Sequence, residues 1–329
     1  MNVHRKSTIK DIARDLNLAV STVSRAFSPH ASCHPETRQQ ILEYAKTIHY
    51  TPNSAARALI TRKTRKIAFV THTFENKIFK DLLPELFHLA GEKHYDLQLN
   101  LATPDSELEE KLLTNLTSGA IDGAIVYTPH FSTPSRLADK LLEKRVPVVL
   151  LDHTGYPQTP SICRNFKAAG KAVTNYLLRK NYQNIVFVYD VDDDPRKEGF
   201  LEAAQQHSLP SESARLCFVG KTQPIESLVE QILTNPPRAI FAAYDKLAQR
   251  ILRCLKQRQI RIPEEIALAS TGNESYADLL DPPLTSYELH HPELGSLLMD
   301  TLIAQIDNPV SGIQKAIYLD GYLAPRHSA

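Results

Sequence analysis

The chain has 329 residues, 42% of them apolar, which is more than one hydrophobic core usually supports, so two or three domains are expected. Its N-terminus lacks the apolar segment of a signal peptide, and no apolar run approaches the roughly 18 residues needed to cross a bilayer. Four widely spaced cysteines form neither a CxxC pair nor a Cys/His metal spacing: Cys33, Cys163, Cys217 and Cys254. Composition therefore argues against membrane proteins and secreted disulfide scaffolds, and predicts a soluble cytoplasmic protein with reduced thiols and neither metal nor cofactor.

Charge is distributed unevenly along the chain. The formal net charge is only +1, but residues 1–66 hold 12 Lys/Arg and 4 Asp/Glu, a net +8, while the remainder holds 26 and 33, a net −7. A compact basic segment attached to an acidic body is typical of a nucleic-acid-binding domain joined to another module.

The basic segment opens with TIKDIARDLNLAVSTVSRAFS, residues 8–28, which predicts two short helices joined by a tight turn. Thr8 and Asp11 have capping-box spacing, and one face of the first helix is apolar: Ile9, Ile12, Ala13 and Leu16. In the second helix, inward packing of Val23, Ala26 and Phe27 leaves four side chains outward: Val20, Ser21, Ser24 and Arg25. An exposed helix with an Arg, hydroxyls and a small apolar group suits the major groove. These residues alone leave open an ordinary pair of core helices.

A third helix is predicted from Pro35, with Glu36 in its first turn and an inward face of Ile41, Leu42, Ala45 and Ile48. The stretch that follows, TPNSAARALITRKTRK, could form two helical turns over residues 53–59, which are too few to hold in water without a partner. A basic run makes DNA the expected partner, and a plain linker is the alternative: Arg62, Lys63, Arg65 and Lys66.

Beyond Lys66, strand-like runs such as KIAFVTHT, IDGAIVYT, PVVLLD and NIVFVYD alternate with helical stretches. This alternation predicts parallel sheets with crossover helices, and a break after Cys163 divides the strands into two doubly wound subdomains facing a cleft. Loops at the carboxyl ends of the strands are expected to line that cleft, starting at His72, Tyr127, Asp152, Asp190 and Asp245.

Six motifs occur in a fixed order along the chain: residues 8–28, ETRQQILEYAKTIHYTPNSAARAL, IDGAIV, PVVLLD, RKEGF at 196–200 and DPPLTS at 281–286. In these motifs and their spacing, the chain resembles the lac-repressor/galactose-repressor family of bacterial transcription regulators over nearly all of residues 7–325. The resemblance implies an all-α helix-turn-helix DNA-binding domain at 1–51, a hinge helix and linker at 52–65, and an α/β periplasmic-binding-protein-like core of two doubly wound parallel-sheet subdomains at 66–329. The chain is expected to cross between the subdomains near 162–166, 287–292 and 318–322.

For DNA, the resemblance implies that Val20, Ser21 and Arg25 face base edges, with Thr8, Thr22 and Ser24 near phosphates. It also implies that residues 53–59 form a hinge helix in the minor groove, with Asn53 at its start, Ala56 against the bases and Leu59 wedged into a base step. Two such hinges must meet, so a homodimer on a pseudo-palindromic double-stranded operator is expected, associated with the nucleoid when bound. The polar end of the chain, LAPRHSA, lacks a leucine-heptad tail, which favours a dimer over a tetramer.

For the cleft, the resemblance implies a small-molecule effector, a sugar or sugar phosphate, held chiefly by Arg196. Further effector positions are Phe74, Asn76, Phe79, Tyr127, Asn165, Phe166, Tyr244, Asp245 and Asn273. The aromatic side chains of Phe74, Phe79 and Tyr127 could stack on a sugar face, and packing in the core is the alternative for them. The sequence departs from the family pattern at Asn165–Phe166, at Tyr244–Asp245 and at residues 270–273, so two carboxylates that commonly grip sugar hydroxyls are missing.

The acidic stretch YDVDDDP, residues 189–195, weakly resembles a phosphatase motif or a calcium loop, but both lack required residues. We interpret it as an acidic cleft wall, which favours a neutral sugar or polyol. A phosphorylated sugar is the alternative, because Arg164, Lys167 and Arg196 could supply cations. A ligand-binding or hydrolytic protein with a vestigial N-terminal module is the alternative to a DNA-binding regulator.

Overall fold

The computed structural model describes residues 7–27, 32–51, 63–74, 77–102, 106–128, 130–133, 135–220, 222–309 and 316–329. The chain divides into two compact units, Met1–Thr64 and Arg65–Ala329. Among the described residues, no helix is both long and apolar enough to cross a membrane.

The described residues of the first unit form three helices: α1 (Ile9–Asp15), α2 (Val20–Ala26) and α3 (Pro35–Thr47). The capping box at the start of α1 is complete, because the side chains of Thr8 and Asp11 each accept from the other residue's backbone N–H. The turn into α2 is made by Asn17 with a φ of 51°, a left-handed conformation that Asn tolerates better than most residues.

The core of this unit contains the apolar side chains expected from the helical spacing, with one exception. The fully buried members are Ile12, Ala13, Val23, Ala26, Ile41 and Ala45. The prediction that Leu42 packs inward is wrong, since its side chain is 37% exposed. Ile41 and Ala45 lie four residues apart on the buried face, and the next residue along a helix points about 100° away from that face.

The part of the second unit that the structure describes forms two subdomains, each with a six-stranded sheet. Subdomain 1 has the strand order β11-β5-β4-β3-β1-β2, entirely parallel. Its strands are β1 (Lys66–Thr71), β2 (Asp96–Leu101), β3 (Gly123–Tyr127), β4 (Val148–Leu151), β5 (Ser161–Arg164) and β11 (Ile317–Leu319). Its helices are α4 (Lys77–Glu92), α5 (Ser106–Asn115), followed by a short turn at Leu116–Ala120, α6 (Arg136–Glu143) and α11 (Leu294–Asp307).

Subdomain 2 has the order β12-β10-β9-β8-β6-β7, parallel except for the β12–β10 pair. Its strands are β6 (Ile185–Tyr189), β7 (Ala214–Phe218), β8 (Ala239–Ala242), β9 (Ala267–Thr271), β10 (Thr285–Glu288) and β12 (Tyr322–Ala324). Its helices are α7 (Phe166–Arg179), α8 (Pro195–Gln206), a short turn at Ser211–Ser213, α9 (Ile225–Leu233) and α10 (Asp245–Gln257).

Apolar side chains cover both faces of each sheet, as expected for parallel sheets buried between helices. The chain passes between the subdomains three times: after β5, after β10 and after β11. Loops at the carboxyl ends of β3 and β6, one from each subdomain, meet through hydrogen bonds between residues 131–133 and Asp193. The cleft predicted from the sequence therefore lies between these strand ends.

Candidate DNA-reading surface and effector cleft

The outward face of α2 carries the side chains that the sequence predicts for base recognition. Val20 is 43% exposed, and Ser21, Ser24 and Arg25 are exposed as well, while Thr22 is half-buried. This exposure follows from the packing of Val23 and Ala26 into the core of the unit. We define the α2 face as Val20, Ser21, Ser24 and Arg25.

Positive charge on the α2 face has no acidic partner among the described residues. Arg25 Nε donates to the carbonyl of Ser21, 3.3 Å away in the same helix, and α2 contains no acidic residue. The two acids of α1 are engaged instead by Arg14, which lies 3.5 Å from Asp11 and 2.9 Å from Asp15. The Arg25 guanidinium is therefore available to an external acceptor.

The other residues predicted to contact DNA differ in whether their side chains already contact the protein. Thr8 is exposed, but its hydroxyl is used in the cap, where it accepts from Asp11 N at 3.3 Å and donates to Asp11 Oδ2 at 2.7 Å. In the basic run, the Arg65 guanidinium lies 5.2 Å from the ring centre of Tyr95, in the second unit. Asn53, Ala56 and Leu59 lie outside the described residues.

Arg196 lies at the start of α8 and is fixed by its neighbours. Its Nε and Nη2 donate to the Asp194 carboxylate at 2.8–3.1 Å, and Nη1 donates to Thr271 Oγ1 at 2.9 Å and to the carbonyl of Ala243. Asp194 also caps α8 through Arg196 N at 2.9 Å. Both side chains are almost fully buried, at 7% and 0% exposure. The predicted effector cation is thus neutralised inside the protein.

The position of Arg196 depends on a close crossing of α7 and α8. A Cβ atom added to Gly170 would lie 2.3 Å from the carbonyl oxygen of Arg196, and one added to Gly199 would lie 2.0 Å from that of Lys167. Only glycine allows these backbones to approach so closely. The Gly in RKEGF therefore helps to position the Arg of the same motif.

Subdomain 1 holds a second Arg–Asp pair, in which Asp152 is buried and the Arg164 side chain is 11% exposed. Arg164 Nε and Nη2 donate to Asp152 Oδ2 at 2.8 and 2.5 Å, and Arg164 N donates to Oδ1 at 2.8 Å. Burial alone would lower the pKa of Arg164, but Asp152 and the hydroxyl of Tyr127 raise it above its usual value. The guanidinium carbons of Arg164 and Arg196 lie 4.9 and 5.0 Å from the ring centre of Phe166. Phe166 therefore connects the two pairs.

The aromatic positions after β1 and β3 divide between core and surface. Phe79 is only 3% exposed and packs edge-on against Phe69, Phe74 and Tyr127. Of the two alternatives for Phe79, stacking on an effector or packing in the core, the structure shows the second, because its ring lies inside the core of subdomain 1. Phe74 is 39% exposed, and Asn76 lies outside the described residues.

Polar side chains at four further predicted positions contact the protein itself. Asn165 caps α7 through Ala168 N at 3.0 Å and donates to Asp320 at 2.7 Å. Asn273, with a φ of 47°, accepts from Arg326 at 2.6 Å and donates to Glu288 at 3.2 Å.

Tyr244 donates its hydroxyl to Asp190 at 2.6 Å, and burial together with this carboxylate raises its pKa. Asp245 is the clearest correction, because its side chain turns into subdomain 2 and is only 1% exposed. It accepts from the hydroxyls of Ser270 and Ser286 and from Glu274 N. Burial raises the pKa of Asp245 despite these bonds. An effector could reach this carboxylate only after rearrangement.

The stretch at 189–195 does not form the acidic wall that we expected. Asp190 is bonded to Tyr244, Asp194 to Arg196, and Asp193 to the loop at 131–133. Asp192 is exposed. Within the described part of the chain, no group of three or more His, Cys, Asp or Glu side chains is arranged to hold a metal ion.

The sequence placed Asp152, Asp193 and Asp194 near the cleft but did not predict which residues they bond. Asp152 pairs with Arg164, Asp193 with residues 131–133 and Asp194 with Arg196. One of them had a readable signal, since Asp followed by Pro is typical of an N-cap and first helical turn, and Asp194–Pro195 begins α8. The other two contact residues that are 12 and about 60 positions away, so local patterns carry no trace of them.

A basic three-helix domain with an exposed, acid-free second helix, joined in sequence to two doubly wound subdomains, defines a DNA-binding regulator with a ligand-binding-protein-like core. Residues 8–53 match the family model described as bacterial regulatory proteins, lacI family, and residues 174–329 match that of the periplasmic binding protein-like domain. Catabolite control protein A of Priestia megaterium is 24% identical over 308 residues, covering 90% of this chain and 91% of that protein.

Two solved structures share the fold over nearly the whole chain. The lac repressor dimer bound to operator and the anti-inducer ONPF has a TM-score of 0.83 at 17% identity, covering 98% of this chain and 99% of that one. A complex of the transcriptional regulator CelR with cellobiose has a TM-score of 0.72 at 21% identity, covering 98% and 100%. Residues 8–53 belong to the lacI family of bacterial regulatory proteins, and the chain is similar to regulators of this kind along nearly its whole length. It is a DNA-binding transcriptional regulator.

Proposed function

We propose that this protein is a sequence-specific repressor of carbohydrate-utilisation genes, which binds pseudo-palindromic operator DNA as a homodimer and is controlled by a small sugar-type effector in the cleft. The α2 face carries this proposal, because it presents an Arg without an acidic partner among the described residues, beside two hydroxyls and a small apolar group. The relatives support it, since one is a repressor bound to operator and another is a regulator bound to cellobiose. The protein acts in the cytoplasm, at the nucleoid when bound to DNA.

On DNA, each side chain of the α2 face has a distinct role. Arg25 donates to guanine in the major groove, Val20 contacts a thymine methyl, and Ser21 bonds a base edge. Thr8, Thr22 and Ser24 contact phosphates, which position the helix without reading sequence. Asn53, Ala56 and Leu59 of the hinge enter the minor groove, where Leu59 opens a base step and bends the duplex.

A second copy of the chain covers two apolar edge strands. β2 and β7 form edges of the two sheets, and each exposes alternate apolar side chains: Leu99 and Leu101, and Leu216 and Phe218. Exposed apolar edges favour self-association, and soluble proteins otherwise protect them with charge. A two-fold interface over these strands supplies the symmetry that a pseudo-palindromic operator requires.

The effector is a neutral sugar or a related polyol. Arg164 and Arg196, the two cleft cations, are each paired with a buried carboxylate, and Lys167 is paired with Glu198 and Glu202 at the surface. A phosphate would therefore meet no unpaired cation among these three residues. A sugar hydroxyl can both donate to a carboxylate and accept from a guanidinium, so it can exchange with bonds within an Arg–Asp pair.

Selection of DNA fragments by the full-length protein tests the proposal. We expect a pseudo-palindromic consensus, binding of one dimer per site, and loss of discrimination at one base pair per half-site in Arg25→Ala. Binding of all sequences with equal affinity by the unmodified protein would contradict the proposal. A sugar that changes operator affinity at micromolar to millimolar concentration would then identify the effector.

A further inference from the structure

Asp193 connects the two subdomains through an unusually dense set of hydrogen bonds. It lies in the loop after β6 of subdomain 2, and its Oδ2 atom accepts from three consecutive backbone amides after β3 of subdomain 1: Phe131 at 3.1 Å, Ser132 at 2.8 Å and Thr133 at 3.1 Å. The hydroxyls of Ser132 and Thr133 also lie 3.0 and 3.3 Å from Oδ2. We call residues 131–133 the receiving loop.

The receiving loop is held in place by its own subdomain. Thr154 N donates to the carbonyl of Phe131 at 2.7 Å. His153 Nδ1 accepts from Gly155 N at 3.1 Å, which leaves its Nε2 to donate to the carbonyl of Thr133 at 3.0 Å. His153 is fully buried. The receiving loop is thus held by contacts that do not involve Asp193, and donors that are already held in place bind an anion at low entropic cost.

The hydrogen bonds of the receiving loop favour the charged form of the Asp193 carboxylate. Burial alone would raise its pKa, but the bonds from Ser132 and Thr133 outweigh burial and hold the pKa of Asp193 below its usual value. The second oxygen, Oδ1, has no hydrogen-bond partner among the described residues, and His130 Nδ1 lies 3.9 Å away. Binding is therefore concentrated on one oxygen, and it depends on the receiving loop.

Phe131 makes a second contact across the cleft. Its ring lies 4.8 Å from that of Phe166, the residue over which both Arg side chains lie. Separation of the subdomains at this point must break the bonds of Asp193 and also withdraw Phe131 from Phe166. Opening of the cleft at Asp193 therefore also changes the contacts of Phe166, which lies between the two Arg side chains of the effector site.

We propose that Asp193 is a positioning residue that holds the cleft closed in the absence of effector, and so sets the balance between the two states of the regulator. The link to regulation rests on the proposed function, but the closure itself does not. A ligand that binds the closed cleft binds more tightly when the closed state is already populated. Loss of the Asp193 contact lowers the population of that state, and so reduces the affinity for the ligand without removing a ligand contact. Effector binding and operator binding are linked through the same two states. A ligand that favours the closed cleft therefore changes operator affinity in one direction, and loss of the Asp193 contact, which favours the open cleft, changes it in the other.

Hydrogen exchange of the full chain, without DNA or sugar, tests the contact. In Asp193→Ala we expect the amides of residues 131–133 to exchange on the order of tenfold faster or more, because the bonds to a charged acceptor are lost. Small-angle scattering of the same dimer should show a more open particle. Asp192→Ala is the matched control, since it removes an exposed carboxylate from the same loop, and it should leave both measurements unchanged. Asp193→Asn, which keeps a neutral acceptor, should lie between the two.

Substitutions in the receiving loop test the same contact independently, in case the Asp193 variants misfold. Ser132→Ala combined with Thr133→Ala should accelerate exchange in the same direction but less, because the backbone amides remain. Unchanged exchange in Asp193→Ala, or faster exchange without a change in scattering, would overturn the proposal. Failure of the unmodified protein to bind any operator would instead overturn the proposed function and leave the closure intact.

Discussion

The α2 face and the cleft use polar side chains in opposite ways. On α2, Val20, Ser21, Ser24 and Arg25 point outward, and Arg25 has no acidic partner among the described residues. In the cleft, the polar side chains are bonded to one another, as the pairs of Arg164 with Asp152 and of Arg196 with Asp194 show. A surface of the first kind can bind a partner without rearrangement. A site of the second kind can bind only by exchanging internal bonds for external ones, which suits a switch.

The comparison predicts that substitutions in the cleft affect folding stability, whereas those on α2 affect binding. The largest expected effect is that of Asp194→Ala, which leaves Arg196 as a buried, uncompensated charge and removes the cap of α8. Loss of one partner from a buried pair costs about 3–5 kcal/mol. Urea unfolding of the full chain measures it, with Asp192→Ala as an exposed control within about 0.5 kcal/mol of the parent. Equal midpoints for the two variants would show that the Arg196 pair is not buried as described.

Gly199→Ala tests the crossing of α7 and α8 that positions Arg196. The new Cβ would lie 2.0 Å from the Lys167 carbonyl oxygen and 2.8 Å from Lys171 N, both of them backbone atoms that cannot move freely. Forced repacking of this kind costs about 1–3 kcal/mol. Gly91→Ala provides a matched control in α4, because nothing lies within 4 Å of its added Cβ. It should be neutral or stabilise the chain by up to about 1 kcal/mol. Destabilisation by both variants alike would argue against a specific contact.

Arg25→Ala should have the opposite profile. We expect an unchanged unfolding midpoint, because the side chain is exposed, and a loss of about 1–3 kcal/mol of discrimination at one base pair per half-site. Arg14→Ala is the control, since Arg14 is engaged by Asp11 and Asp15 and lies outside the α2 face. Its consensus should match that of the parent. Recovery of the parental consensus with Arg25→Ala would remove Arg25 from base recognition.

The two regions also differ in how far the sequence could predict them. The α2 face follows from spacing within seven residues, so Val23 and Ala26 identify their exposed neighbours. The cap at Thr8 and the parallel sheets with their strand-end loops were likewise predictable, because capping boxes and β–α alternation are local patterns. Among the described residues of the helices in this unit, the predicted inward orientation of Leu42 was wrong.

In the cleft, the residue types were predictable but their partners were not. A strand-end aspartate such as Asp245 fits a ligand site equally well whether it points outward or inward. Its orientation is decided by the hydroxyls of Ser270 and Ser286, which lie 25 and 41 residues away. Asp193 likewise finds its donors about 60 positions away. The negative charge of residues 189–195 therefore predicted an acidic wall. In the folded protein, three of the four aspartates in that stretch accept hydrogen bonds from protein donors.

Calorimetry with matched ligands sharpens the comparison in the cleft. We expect a neutral sugar to bind about tenfold more tightly than its phosphate ester, because the ester would bring a second anion to guanidinium groups that Asp152 and Asp194 already neutralise. Asp190→Asn should reduce the difference in affinity between the sugar and its ester. The substitution removes a negative charge but keeps an acceptor for the Tyr244 hydroxyl. The unphosphorylated sugar should bind the variant and the parent within about twofold, because it carries no formal charge for the Asp190 carboxylate to repel. Tighter binding of the ester, lost in Arg164→Ala, would mean that the Arg164–Asp152 pair opens to release its cation and that the internal bonds of the cleft serve a phosphorylated effector.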